Sequence, residues 1–225
     1  MSLSHHPNIV RNGLVAYFDA GNRKSYPTTG TVWTDLTKNK NNLNFNGSNF
    51  NYNNSYISIT KTGSYPSIPP NPSINLNGQV TVECAIRPTS LDSTWNIIAS
   101  KWFGGTTSEW HWSFKASAGG YKQNLYTTGN SDLYGSKVYT NNVWYIVSFT
   151  INTSGLLTFY SNGVSENSYN SVVMSASDSY LYLSDFRASV FGFNGDYSMF
   201  RLYNRALSAN EILQNYNATK SRYGY

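Results

Sequence analysis

The chain has 225 residues, 40% of them hydrophobic and only 12% charged, which excludes a disordered polypeptide and leaves room for a sizeable core. The formal charge of +5 favours an anionic partner, yet the 16 Lys and Arg residues are scattered without a basic run, which argues against nucleic acid. Cys84 is the sole cysteine, so no disulfide can staple the fold, and no run of about 18 apolar residues offers a membrane-inserting helix. Residues 1–11 have no apolar h-region, so synthesis in the cytosol without a signal peptide is expected.

In chain order, the alternation of apolar and polar positions predicts a first strand over 13–20. An Asn-rich stretch over 38–54 follows, read as a long loop because Asn favours turns, with a glycan-contacting loop as the sharper alternative. Strands are next expected over 56–60 and 80–86. In the latter, Val80, Val82, Cys84 and Ile86 point one way and Thr81, Glu83 and Ala85 the other, with Glu83 facing solvent and Arg87-Pro88 ending the strand. Further strands are expected over 95–101, 110–116 and 123–127. Residues 144–151 are apolar at nearly every position, as in a strand covered on both faces. Residues 156–161 resume the pattern, Asn162-Gly163 supplies a type I′ turn, and Val164 opens the partner strand. Strands over 179–184 and 196–203 complete the set.

Near the C-terminus, Ser208 and Glu211 have the spacing of a capping box, flanked by Leu207 and Ile212 as a hydrophobic staple, with Ile212, Leu213 and Tyr216 expected on one face. This helix should fade near Thr219. Residues 220–225 are then a surface tail or a contact with another subunit of a homo-oligomer. The pattern as a whole predicts an all-β, two-sheet antiparallel sandwich of jelly-roll type with a short C-terminal helix. Its expected divisions are an N-terminal extension (1–12), one domain (13–219) and the tail (220–225).

Several segments resemble laminin-G-like and concanavalin A-like lectin domains. These are NVWYIVSFTINTSGLLTFYSNGVSEN from Asn142 to Asn167, VTVECAIRPTS, IIASKW, and the closing run Phe200-Arg201-Leu202-Tyr203-Asn204-Arg205-Ala206-Leu207-Ser208 with Glu211-Ile212. The segments around Pro7-Asn8-Ile9-Val10, Phe18-Asp19-Ala20-Gly21-Asn22 and Leu213-Gln214-Asn215-Tyr216 resemble a subgroup among structural proteins of tailed bacteriophages. That resemblance implies a non-catalytic, lectin-like virion protein on the particle surface, a capsid decoration, fibre or tail-associated module that attaches to cell-surface glycans. A purely structural protein binding capsid, fibre or tail subunits is the first alternative, and a polysaccharide-degrading enzyme of the glucanase type is the second.

Against catalysis, no two of Glu83, Glu109, Glu166 and Glu211 stand at i and i+2, the spacing that sets a carboxylate pair on one strand. His5 and His6 lie in an end expected to be flexible, and His111 has no signature around it. Members of the resembled superfamily hold a structural calcium, for which Asp19 and Asp196 are the candidate ligands here, with a turn-capping role as the alternative for Asp19. The binding candidates are Trp102, Phe103, Trp110, Tyr121, Tyr126 and Tyr134, since sugar C–H faces pack on aromatic rings. Trp110 shares a strand face with Trp112, and such a pair packs into a core as readily as it meets a ligand. Trp102-Phe103-Gly104-Gly105 reads as an exposed loop tip and is the preferred contact; the same rings would also suit an interface with a partner protein.

Overall fold

A computed structural model describes residues 7–26, 28–47, 50–61, 66–76, 78–101, 110–184 and 191–223. The expected alternation folds as two antiparallel sheets, each of eight strands among these residues. In the first sheet β14 (Val164–Tyr169), β13 (Leu157–Ser161), β12 (Tyr145–Ile151), β7 (Val80–Ser90) and β16 (Asn194–Tyr203) lie side by side. The far edge of β16 is shared by β1 (Leu14–Asp19) and β5 (Ile57–Ile59), and β4 (Phe50–Tyr52) pairs with β5. The second sheet runs β11 (Asn130–Tyr134), β10 (Gly120–Thr127), β9 (Trp110–Ser117), β8 (Trp95–Lys101), β15 (Leu181–Leu183), β6 (Ser67–Ile68), β3 (Leu43–Asn44) and β2 (Val32–Trp33).

The inward faces seal one core. Val80, Val82, Cys84 and Ile86 of β7 meet Trp110, Trp112 and Phe114 of β9, and the Phe149 ring stands edge-on to both Trp110 and Trp112, at 5.5 and 5.4 Å. Each such side chain contributes about 1.5–3 kcal/mol on full burial, which is how the fold holds without a disulfide. Cys84 is a free, buried thiol whose pKa burial pushes well up, as expected of a packing residue. At the β13–β14 hairpin, Asn162 and Gly163 have φ of 51° and 79°, the pair of positive values that a type I′ turn requires.

Four expectations are corrected. Strand β7 runs through Arg87-Pro88 to Ser90. Its neighbour β12 has ended by then, and the Pro88 carbonyl accepts from Asn142 N, so the missing N–H faces a loop and breaks no ladder bond. The stretch 38–54 contains β3 and β4, because Leu43 and Phe45 are core anchors. Two- and three-residue strands are too short to show a period in sequence.

Glu83 does not face solvent. The outer face of the first sheet is covered by α1 (Ala209–Thr219), and Asn215 Nδ2 donates to Glu83 Oε2 at 3.1 Å. Nor does Leu213 join the packed face: it is exposed, and Ile212, Asn215 and Thr219 are the buried positions. The capping box itself forms, with Ser208 Oγ accepting from Glu211 N and Glu211 accepting from Ser208 N. Residues Lys220–Tyr223 continue as a 3-10 turn, and Arg222 reaches back to Asp19. At the other end, Val10 is buried beside Leu207, Ile212 and Tyr203, and its N–H donates to Asn215 Oδ1.

Candidate functional site

The second sheet turns Trp110, Trp112 and Phe114 inward and therefore presents His111, Ser113 and Lys115 outward. Directly opposed residues of an antiparallel pair share a face. The register links Val32, Asn44, Ser67, Tyr182, Ser100, His111 and Tyr126 as successive partners, so one row, aromatic or polar at every position but Val32, crosses seven strands of the outer face, with Ser67, Tyr182, Ser100 and His111 buried within it. Six inter-strand spacings of about 4.8 Å make this row roughly 29 Å long, the scale of an oligosaccharide.

At one end of the row, the His111 ring stacks on Tyr126 with centroids 5.1 Å apart and planes within 16°, and Trp95 tilts against it at 5.6 Å. Burial lowers the His111 pKa to about 4, Asp132 opposes this, and Lys115 adds to it, so the imidazole is neutral at pH 7. Lys115 pairs with Asp132, and its ammonium sits 4.5 Å from the Trp95 ring centroid.

At the other end, a cavity of about 400 Å³ is lined by Asn44, Asn46, Ser67, Pro69, Tyr180 and Tyr182. Tyr180 and Tyr182 are i and i+2, so both rings stand on the outer face while Leu181 and Leu183 point into the core. The two rings stack at 5.7 Å with a 24° interplanar angle, and Tyr180 is 41% exposed. Asn46 Nδ2 donates to Ser67 Oγ at 2.9 Å. A neighbouring cavity of about 250 Å³ shares Asn44 and Pro69 and adds Asn42, Asn71 and Lys40, which extends the first into a groove. The exposed Tyr180 ring, backed by the buried Tyr182 and flanked by amides and a hydroxyl, supplies both the apolar platform and the directional hydrogen bonds that sugars need.

Of the residues named from sequence, Tyr126 and Tyr134 lie on this sheet, Tyr126 within the row and Tyr134 opposite Asn124. Trp110 is buried in the core, and Tyr121 packs against the same cluster, so neither joins the outer row. Trp102 and Phe103 lie outside the described residues. Strands β1 and β16 pair, but Asp19 and Asp196 are each taken up by an arginine. Asp19 accepts from Arg222 at 2.6 Å and from Gly21 N, and Asp196 pairs with Arg87 at 2.6 Å. No group of three or more His, Cys, Asp or Glu gathers among the described residues. The tyrosine pair went unnoticed in sequence, although Tyr-Leu-Tyr-Leu at 180–183 carries the signal of rings on one strand face.

A comparison with curated proteins gives no match. Residues 60–213 match the family model described as the concanavalin A-like lectin/glucanases superfamily. Among solved structures, a sialidase of Trypanosoma rangeli superposes with a TM-score of 0.71 at 16% identity, over 94% of this chain and 34% of that one. The chain thus spans about a third of the sialidase. Domain 4 of AbnA, a GH43 extracellular arabinanase from Geobacillus stearothermophilus in complex with arabinotriose, superposes with a TM-score of 0.71 at 15% identity, over 92% of this chain and 99% of that one. The binding domain of Paraclostridial Mosquitocidal Protein 1 gives a TM-score of 0.67 at 19% identity, over 92% and 52%.

These findings correct two expectations. The matched proteins are a sialidase, a domain of an arabinanase and a binding domain of a mosquitocidal protein, so the kinship to phage structural proteins and the virion role drawn from it are withdrawn. The expectation of a protein without chemistry falls with them, because the family description spans glucanases as well as lectins and the matches include a sialidase and a domain of an arabinanase. With the family model covering residues 60–213 and both sheets in place, the chain belongs to the concanavalin A-like lectin/glucanase superfamily.

Proposed function

We propose that this chain works in glycoside hydrolysis, as the domain that seats an oligosaccharide across the outer face of the second sheet. The observation that carries this reading is the Tyr180–Tyr182 stack bordering the Asn44, Asn46 and Ser67 groove. Sugar rings pack their C–H faces on the exposed Tyr180 ring, which Tyr182 supports from beneath, and the amides of Asn44 and Asn46 bind the hydroxyls. The near-complete overlap with an arabinanase domain bound to arabinotriose supports a domain-sized unit with this task.

Calorimetric titration of the full chain with arabinotriose and with neutral gluco- and xylo-oligosaccharides tests it, together with reducing-end release from the parent polysaccharides. At least one neutral oligosaccharide should bind, and Tyr182→Ala should weaken it by about tenfold or more, as loss of a central aromatic contact does. Silence across the panel, or unchanged binding by Tyr182→Ala, would overturn the assignment.

A further inference from the structure

A second cavity, of about 520 Å³, opens on the other side of the sandwich. It is bounded by β1, by Leu36 and Lys38 on the segment that follows β2, and by the chain that leads into β1. Its floor belongs to the outer face of the first sheet: Leu14 packs against the Tyr203, Leu207 and Ile212 cluster, and Tyr17 lies beside Ala85, Met199 and Tyr216. This site therefore shares no residue with the tyrosine groove.

Two cations, Arg11 and Lys38, stand exposed on its rim. Among the described residues neither forms an ion pair. The nearby carboxylates are otherwise committed. Asp19 is held by Arg222 and by the Tyr17 hydroxyl at 2.9 Å. Asp35 is buried and accepts from the backbone N–H groups of Tyr17, Thr37 and Asn41 and from Thr37 Oγ1. The rim charge is thus uncompensated, while Leu14 and Leu36 give an apolar wall and Asn22 a directional polar group.

We propose that this cavity binds a carboxylated sugar, such as a uronic acid unit of an acidic polysaccharide. Its carboxylate meets Arg11 and Lys38, its C–H face lies on Leu14 and Leu36, and a ring hydroxyl reaches Asn22. A bare inorganic anion would use the two cations and leave the apolar wall in water, so the mixed lining favours a sugar acid. The inference does not rest on the assignment of the tyrosine groove.

Titration of the full chain with trigalacturonate and with its methyl-esterified form separates the possibilities. The acid should bind about tenfold more tightly than the ester, the effect of one charge-assisted contact. Arg11→Gln with Lys38→Gln should abolish that preference; both side chains are exposed, and circular dichroism checks that the variant folds. Tyr182→Ala should leave the preference intact, which distinguishes this site from the groove on the second sheet. Equal binding of acid and ester, a preference that survives the double substitution or vanishes in Tyr182→Ala, or displacement of trigalacturonate by equimolar inorganic phosphate would each overturn the proposal.

Discussion

Glu83 on β7 and Arg201 on β16 stand directly opposite one another, with Glu83 Oε2 3.2 Å from Arg201 Nε and neither side chain reaching solvent. Burial raises the Glu83 pKa, and the Arg201 charge and the Asn215 hydrogen bond oppose that rise. Removing one partner strands the other charge under α1, so Glu83→Ala should destabilise the fold by about 3–5 kcal/mol. Replacing both together, Glu83→Leu with Arg201→Met, should lose far less. Urea denaturation of the three proteins measures this, and a loss below about 1 kcal/mol in Glu83→Ala would show that water reaches the pair.

A second expectation concerns acid. His111 titrates near 4 in the folded protein against 6.5 when unfolded, because its site beside Tyr126 and Trp95 excludes water. Between these values the unfolded chain binds a proton that the folded chain refuses, so this contribution to stability is present above about 6.5 and is lost as pH falls towards 4. His111→Gln should flatten the dependence. Denaturation midpoints at about pH 7 and about pH 4.5 decide it: an equally steep fall in both proteins would assign the effect to other groups.

Glu211 behaves in the same direction for a different reason. Arg205 pairs with it at 2.6 Å, and this contact, helped by Ser208, holds its pKa down to about 2. A depressed carboxyl stabilises the fold above its ordinary value of 4.5, and that stabilisation disappears as pH drops towards 2. Glu211→Gln should cost about 1 kcal/mol at neutral pH through loss of the charge at the helix start, and the gap to the wild type should close in acid. A constant gap across that range would contradict the ion-pair account.

The hairpin turn offers a backbone test. Gly163 sits at φ 79°, and a Cβ there would lie 3.0 Å from the Tyr216 side chain of α1. Gly163→Ala should therefore destabilise by about 1–2 kcal/mol from the left-handed conformation alone, with crowding against α1 adding to it. Thermal unfolding with an unchanged midpoint would mean that the turn and the helix both shift freely.

Much of this architecture was legible in the residues themselves. Period-two alternation located β8, β9 and β16 closely, the near-continuous apolar run over 144–151 located β12, Asn162-Gly163 marked the hairpin, and the Ser208–Glu211 spacing marked the helix start. These features are local, so each is written within a few neighbouring positions. The superfamily was also readable, from the Asn-Gly-Val hairpin and the closing strand and helix. Its phage subgroup was not, since shared short strings at the chain ends do not carry a role.

What the sequence determined, then, was which side of each long strand is apolar and where the turns fall. What covers the other side was decided only in three dimensions. Glu83 reads as a surface residue until α1 is laid over it, and Tyr182 reads as one more strand aromatic until the register sets it beside Ser67 and Ser100 and the fold brings Asn44 and Asn46 alongside. Both outcomes depend on partners more than twenty positions away along the chain. Period and turn chemistry specify the element, whereas the contacts made by its outer face are set by how the chain returns to it.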